Sequence, residues 1–217
     1  MDHASRPAIL TPDREGIAEA ARILREGGLV AVPTETVYGL AARADRDESV
    51  AAIYKAKGRP SFNPLIVHVA DLEAAQALAT IDARALQLAD AFWPGPLTLV
   101  LPLREDAPVA AAVTAGLATV ALRCPAHPVM RALIAETGLP LAAPSANRSG
   151  GVSPTDAAHV VSSLEDRLDA VIDAVPAKRG SNPRSSLCAK AGAGRSSVRD
   201  RSPKGALLPC SEPRARR

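Results

Sequence analysis

The sequence has 217 residues, of which 47% are hydrophobic, and this is enough apolar material for one well-buried domain. Residues 1–173 hold 15 basic and 21 acidic side chains, whereas residues 174–217 hold 11 basic and 2 acidic ones. No uninterrupted run of about 18 apolar residues occurs, and polar residues open the chain, so we expect no membrane span, no signal peptide and a cytoplasmic protein. The three widely spaced cysteines lack C-x-x-C spacing and predict neither a disulfide framework nor a zinc site.

The first part of the chain alternates between helical and extended patterns. Apolar residues recur at helical spacing over 14–26, and two glycines then end the predicted helix. Short strands are predicted at 29–32 and 37–40, on either side of the polar turn Thr34-Glu35-Thr36. A second helix over 47–57 begins with acidic and ends with basic residues, as the helix dipole favours. A strand is predicted at 65–69.

The second part continues the same alternation. Helices are predicted at 71–79, 82–92, 126–137 and 155–168, and strands at 97–101, 119–123, 139–143 and up to 173. This order predicts an α/β fold with a twisted, largely mixed sheet. From 174 onward the apolar periodicity disappears and Ser, Arg, Pro and Gly dominate, which is typical of a disordered segment.

A nucleotide site in this chain would have to be built from side chains, because no glycine-rich phosphate loop is present in the sequence. Lys55, Lys57 and Arg59 lie within five residues at the predicted end of the second helix, close enough to converge on one polyphosphate. The alternative interpretation is a solvated basic surface.

Four further residues have a chemical and a structural interpretation each. Thr34 and Thr36 offer hydroxyl groups at a strand end, or they cap an ordinary turn. His68 lies in an apolar strand, where it is either a ligand-binding residue or an ordinary buried histidine of the core. Arg123 ends another strand, where its guanidinium could bind a carboxylate or form a structural salt bridge.

Taken in order, these features resemble the motif set of the YrdC/Sua5 family over about residues 10–173. The segments that carry the resemblance are 33–40 (PTETVYGL), 55–65 (KAKGRPSFNPL), 93–98 (WPGPLT), 123–125 (RCP) and 144–150 (PSANRSG). The resemblance implies a YrdC-like twisted mixed sheet with flanking helices around a basic concave cavity. It also implies a nucleotidyltransferase that converts ATP with Mg²⁺, L-threonine and bicarbonate to threonylcarbamoyl-AMP and pyrophosphate. A tRNA-modifying transferase complex would consume the product.

The resemblance also assigns residues to each substrate. Those implied for ATP are Lys57, Arg59, Asn63, Thr119, Ser145 and Ser153. Those implied for threonine are Thr34, Thr36, His68, Arg123 and Ala143, while Lys55 and Asn147 are implied as supporting residues. No general base and no metal-ligating side chain is assigned, because carbamate formation and attack on a phosphate need alignment and charge neutralisation more than a nucleophile of the protein.

The chain departs from the family pattern after about Ala174, where the family would continue with G-G-P-x-x-x-G-L-E-S-T-I-V and later L-L-R-P-G. One permitted codon spelling of residues 180–187, read in a frame shifted by two bases, gives L-E-S-T-I-V. The same shift over residues 195–203 gives L-L-R-P-G-S-I-A. We therefore interpret residues 174–217 as a frameshifted, basic tail outside a YrdC-like domain at 10–173, and we expect the tail to be disordered.

Three other functions are compatible with the sequence. A carbamoyl-adenylate enzyme of hydrogenase maturation contains a related domain, although it normally has further domains that this sequence does not encode. A non-catalytic module could bind double-stranded RNA in the basic concavity, although the excess of acidic residues in 1–173 argues against it. The chain could also be an inactive family member that lacks a terminal part of the sheet.

Overall fold

The computed structural model describes residues 6–174 and two short segments, 187–190 and 208–209. The strands in these residues are β1 (Ala8–Leu10), β2 (Val30–Pro33), β3 (Tyr38–Arg43), β4 (Ile66–His68), β5 (Thr98–Pro102), β6 (Thr119–Arg123), β7 (Leu141–Ala142), β8 (Ala170–Ile172), β9 (Leu187–Lys190) and β10 (Leu208–Pro209). The helices are α1 (Arg14–Glu26), α2 (Asp47–Lys57), α3 (Leu72–Leu78), α4 (Ala83–Phe92), α5 (Ala111–Thr114), α6 (Pro128–Thr137) and α7 (Ala157–Leu164).

These strands form one sheet in the order β1-β8-β2-β3-β7-β4-β6-β5-β9-β10. β8 runs parallel to both of its neighbours, β1 and β2, and β4 runs parallel to β6. β3 and β7 pair with their neighbours in the antiparallel sense. The predicted α/β fold with a mixed sheet and flanking helices is confirmed. None of the described helices combines the length and the apolar character needed to cross a bilayer.

The residues at the ends of α1 and α2 explain where these helices begin and end. The carboxylate of Asp13 accepts a hydrogen bond from the Gly16 N–H at 2.9 Å and so satisfies one free donor at the start of α1. Gly27 ends α1 with φ at 98°, a left-handed conformation that costs glycine little. Gly58 ends α2 in the same way, with φ at 58°. The bounds predicted for these two helices agree with the structure.

Both faces of the sheet are buried, and the alternation of side chains along β2 and β3 shows this directly. Ala31 and Leu40 belong to the larger apolar cluster, which α2 and α7 also enter. Val30, Val32 and Ala41 belong to a second cluster, formed with α1 and α6. Because successive residues of a strand point to opposite faces, the two clusters lie on opposite sides of the sheet. Polar groups can therefore be concentrated only at strand ends and turns.

Four elements do not follow from the sequence patterns. β1 has three residues and α5 has four, so both are shorter than the windows in which periodicity can be recognised. The backbone of β9 pairs in parallel with β5, and β10 pairs antiparallel with β9, inside the segment expected to be disordered. A free edge of β5 explains why a short apolar stretch can pair there. The rest of the tail, 175–186, 191–207 and 210–217, lies outside the described residues, so the predicted disorder and the boundary at 173 stay predictions.

Candidate functional site

A cavity of about 220 Å³ lies where the β2–β3 turn, the ends of β4 and β6 and the chain after β7 come together. The residues that line it are Thr34, Thr36, Val37, Gly39, Ile66, His68, Arg123, Ala143, Pro144, Ser145 and Ser153. They include all five residues of the predicted threonine set and two members of the predicted ATP set. The structure therefore brings together side chains that are far apart in the sequence.

The register of the sheet explains why His68 and Arg123 meet. In the parallel pairing of β4 with β6, His68 lies directly opposite Arg123. On the other side of β4, Ala142 of β7 lies opposite Val67, and Ala143 follows at the end of β7. Because β7 runs antiparallel to β4, Ala143 lies beside Ile66 at the start of β4, whereas His68 and Arg123 end β4 and β6. All four residues line the cavity.

The β2–β3 turn also lines the cavity. The Thr34 hydroxyl donates a hydrogen bond of 2.7 Å to the carbonyl of Val37, and the Thr34 N–H donates to the same carbonyl at 3.0 Å. Thr34 is buried by this arrangement, whereas Thr36 at the tip of the turn is exposed. The Thr34 hydroxyl therefore caps the turn, which is one of the two interpretations given for it. The hydroxyl of Thr36 remains accessible.

The loop after β7 continues the cavity wall and is hydrogen-bonded to β3. Gly39 and Ser145 form an isolated antiparallel bridge, and the Leu40 N–H donates to the Pro144 carbonyl at 2.7 Å. Further along, the Tyr38 N–H donates to the carbonyl of Pro154 at 2.8 Å. Both ends of this loop are therefore held against the same strand, which fixes Ser145 and Ser153 beside the cavity.

The Arg123 guanidinium is the charged group of the cavity, and it is 6% exposed. Its Nη2 donates to Oε2 of Glu35 at 2.5 Å, and its Nε donates to the carbonyl of Gly95 at 3.2 Å. Gly95 lies in the turn after Trp93, whose indole N–H donates to the Leu97 carbonyl at 2.8 Å. Burial lowers the pKa of Arg123, and the charge of Glu35 opposes that shift. The salt bridge named as the alternative from the sequence is therefore present, in a side chain that also faces the cavity.

His68 is neutral in this site. Its side chain is 3% exposed, and burial together with the nearby Arg123 charge lowers the pKa of His68 from 6.5 to about 3. Its Nδ1 has no hydrogen-bond partner among the described residues. Buried polar atoms of native proteins are nearly always paired, so this nitrogen is suited to a ligand or an ordered water. His68 is thus a buried histidine of the core and also a lining residue of the cavity, so the two alternatives given from the sequence do not exclude each other.

Lys57 does not line the cavity but supports its wall. Its side chain is buried, and its ammonium group donates to the carbonyls of Ser145 and Asn147. In the reverse direction, the Ser149 N–H donates to the Lys57 carbonyl at 2.8 Å. The side chain of Asn147 donates to the carbonyl of Gly151 at 2.8 Å, which closes the same loop on itself. Lys57 and Asn147 therefore determine the shape of the loop that carries Ser145.

The remaining predicted ATP residues lie outside the cavity lining. Arg59 is half-buried after the end of α2; one of its terminal nitrogens donates to the Pro64 carbonyl at 3.3 Å, while its buried Nε has no partner among the described residues. Asn63 is half-buried in the following loop, and its carbonyl accepts from the Tyr54 hydroxyl at 2.7 Å. Thr119 is half-buried at the first position of β6, and Lys55 is exposed on α2.

A larger cavity of about 300 Å³ lies between α3 and the end of α6 and is mostly apolar. Its lining includes Val69, Leu78 and Ile134 but none of the residues predicted to bind a substrate. It contains no ionisable side chain, so it offers no group for charge neutralisation or proton transfer. Volume alone would favour this cavity, but the chemistry of its lining favours the smaller one as the functional site.

Sequence reasoning missed one charged residue at this site. Glu35 lies between Thr34 and Thr36 in the quoted motif, yet it received no role, because its partner Arg123 is 88 residues further along the chain. A carboxylate in the polar turn between two apolar strands was the only available signal. The backbone of Gly39 and the side chain of Ile66 also line the cavity, and nothing in their residue type indicates a site.

Comparison with known proteins gives this site a context. The sequence profile of the Sua5/YciO/YrdC family, described as "Telomere recombination", matches residues 22–187. A Bacillus subtilis protein named threonylcarbamoyl-AMP synthase is 54% identical over 161 residues, which are 74% of this chain and 46% of that protein. A protein of the same name from Pyrococcus abyssi is 52% identical over 155 residues, which are 71% of this chain and 45% of that protein.

A solved structure resembles the fold just described. The crystal structure of Pyrococcus abyssi Sua5 complexed with L-threonine superimposes with a TM-score of 0.78 and 45% sequence identity, over 85% of this chain and 54% of that one. The chain thus spans about half the length of the relatives that it matches here. These relatives do not favour the RNA-binding alternative.

The buried state of His68 predicts a pH dependence of stability. Because its pKa is about 3 when folded and near 6.5 when unfolded, the unfolded chain binds the extra proton as the pH falls below 6.5, and the folded state loses stability. Urea unfolding of the wild type and His68→Gln between pH 7 and pH 4.5 measures this. We expect the wild type to lose up to about 1.4 kcal/mol per pH unit more than the variant. Parallel profiles would contradict the assignment of a neutral buried imidazole.

Proposed function

The chain belongs to the Sua5/YciO/YrdC family, and we propose that it converts ATP, L-threonine and bicarbonate to threonylcarbamoyl-AMP and pyrophosphate. The observation that carries the proposal is the meeting of Thr34, Thr36, His68, Arg123 and Ala143 around one cavity of about 220 Å³. The likeness to proteins named threonylcarbamoyl-AMP synthase supports it. In this proposal the adenylate supplies a transferase complex that modifies tRNA.

Threonine occupies the cavity in this proposal. Its carboxylate pairs with the Arg123 guanidinium, which is 6% exposed and therefore interacts strongly with an opposite charge. Its hydroxyl and amine groups pair with polar atoms of the wall, such as the accessible hydroxyl of Thr36 and the unpaired Nδ1 of His68. The crystal structure of a relative with L-threonine supports the choice of this amino acid.

ATP occupies the adjoining surface, between the loop that follows α2 and the loop that follows β7. Arg59, Asn63, Ser145 and Ser153 supply hydrogen-bond donors there, and the unpaired Nε of Arg59 supports a ligand at that point. Lys57 contributes through the loop that it holds, since its ammonium group donates to two carbonyls of that loop. Thr119 completes the proposed ATP set, and Lys55 in the last turn of α2 is its supporting residue.

Magnesium enters this proposal as part of the substrate. The described residues contain no cluster of three or more His, Cys, Asp or Glu side chains that could hold a metal ion by themselves. Mg²⁺ prefers phosphate oxygens and water with only one or two protein carboxylates, so the ATP phosphates supply most of its ligands. The protein's contribution is to align the ATP phosphates with the threonine site.

The chemistry consists of two bond-forming steps. The threonine amine attacks bicarbonate, a C–N bond forms, and water leaves to give a carbamate. A carbamate oxygen then attacks the α-phosphorus of ATP, and the bond between that phosphorus and the bridging oxygen breaks, which releases pyrophosphate. Holding the reactants in line and neutralising their charges accelerates both steps, and His68 with a pKa of about 3 is a poor base, so no side chain is assigned as general base.

We also propose that the segment after Ala174 reflects a one-base shift of the reading frame. The two family motifs that reappear in one shifted frame support this. Sequencing the gene across the Ala174 codon tests it, and one additional base is expected. A chain with the restored frame should unfold at a higher temperature, because it regains apolar strand residues. An unaltered codon sequence together with equal unfolding temperatures would refute the proposal.

The reaction predicts a strict dependence on the amino acid. Pyrophosphate release from ATP should require both threonine and bicarbonate, because the carbamate is the only nucleophile of the second step. Arg123→Ala should raise the KM for threonine much more than the KM for ATP, because the guanidinium faces the threonine cavity. Coupled measurement of pyrophosphate over a matrix of substrate concentrations provides both results. Release that proceeds at the same rate without threonine would rule out the proposed reaction.

The proposed ATP surface predicts the reverse pattern for Arg59. Arg59→Ala should raise the KM for ATP about tenfold to a hundredfold, the loss of a charge-assisted contact of about 1.5–3 kcal/mol, and leave threonine affinity nearly unchanged. Arg22→Ala is the matched control, because Arg22 pairs with Glu19 and Glu26 on the outer surface of α1 and does not line the cavity. Equal ATP kinetics in both variants would remove Arg59 from the site.

A further inference from the structure

Glu35 is a half-buried charge that contacts Arg123 of the site and that the proposed reaction does not use. Its side chain is 20% exposed, and among the described residues it is absent from the lining of the cavity. One carboxylate oxygen accepts from Nη2 of Arg123 at 2.5 Å, and the other accepts from the N–H of Ala126 at 2.6 Å. Glu35 thus connects three segments: the β2–β3 turn, the end of β6 and the loop before α6.

The contacts of Arg123 divide its donor groups into two sets. Nε donates to the Gly95 carbonyl and Nη2 donates to Glu35, so two protein acceptors fix the plane of the guanidinium. The described residues provide no acceptor for Nη1, although the Arg123 side chain lines the cavity. A planar fork that is held by two of its nitrogens presents the remaining N–H groups in one fixed direction.

The acceptors are themselves held in place. The Gly95 N–H donates to the Cys124 carbonyl at 2.8 Å, so the turn that carries the Gly95 carbonyl is attached to the residue next to Arg123. On the other side, the Ala126 N–H restrains the Glu35 carboxylate. Removing Glu35 would leave a buried guanidinium with one neutral acceptor and with rotational freedom about its last torsion angles.

From these contacts we propose that Glu35 is a positioning residue, whose carboxylate holds the Arg123 guanidinium in the orientation that receives the carboxylate of bound threonine. The inference rests on the proposed function, since threonine is the ligand of that function. Glu35 itself does not touch the substrate. Its effect on affinity arises because an oriented donor loses less freedom when the ligand binds than a mobile one does.

The experiment measures binding without catalysis, by calorimetric titration of the full chain with L-threonine and, separately, with ATP. Glu35→Ala should weaken threonine binding about tenfold or more and leave ATP binding within about twofold. Glu35→Gln keeps the length of the side chain but has one oxygen for two donors, so its threonine affinity should fall between those of the wild type and the alanine variant. Glu48→Gln is the matched control, because Glu48 pairs with Arg46 on the exposed side of α2.

Each outcome has a defined meaning. If the wild type does not bind threonine, the proposed function fails before Glu35 is tested. If the wild type binds threonine and both Glu35 variants bind it equally well, the positioning role is wrong although the function stands. A purely structural role would lower the unfolding temperature and weaken threonine and ATP binding together, and this also overturns the inference. If Glu35→Ala does not fold, Glu35→Gln alone decides, because a graded loss of threonine affinity is still expected.

Discussion

The burial of the Lys57 ammonium group is the interaction on which the rest of the site depends. A lysine side chain is rarely buried, and here it is tolerated because the carbonyls of Ser145 and Asn147 accept hydrogen bonds from it. These contacts attach the C-terminal end of α2 to the loop that follows β7. Since that loop also bridges to β3, one cation links a helix, a loop and the sheet. The hydrogen bonds of Lys57 therefore restrain the loop that carries Ser145 in the cavity wall.

The second constraint is the burial of both faces of the sheet. Apolar clusters occupy both sides, so ionisable groups are stable only where strands end and turns begin. His68 and Arg123 satisfy this constraint in different ways. The imidazole stays neutral, whereas the charge of Glu35 opposes the lowering of the Arg123 pKa that burial causes. A neutral and a charged group therefore lie side by side on neighbouring strands, which gives a small ligand two chemically different contacts.

Much of this arrangement could be predicted from the sequence, and particular residues show where prediction ends. The bounds of α1, α2 and β6 follow from periodicity and glycine stops. The resemblance to a family named five residues for threonine binding that the structure brings around one cavity, although their role stays a prediction. The burial of Lys57 could not be predicted, because a lysine at a helix end is equally expected to be solvated there. The pairing of Glu35 with Arg123 depends on the register of distant strands, and no local pattern encodes that register. β9 depends on a free strand edge, which exists only once the sheet has formed.

The turn at Gly95 has a practical consequence. The sequence contains one tryptophan, Trp93, which is half-buried. It lies two residues before Gly95, whose carbonyl accepts a hydrogen bond from Nε of Arg123. Its indole N–H is bonded to the carbonyl of Leu97 in the same turn. Indole emission of this protein therefore originates from one turn, whose Gly95 carbonyl accepts a hydrogen bond from Arg123. The protein thus carries one intrinsic indole fluorophore in the segment that contacts Arg123, so a structural change in that segment can be followed without attaching a dye.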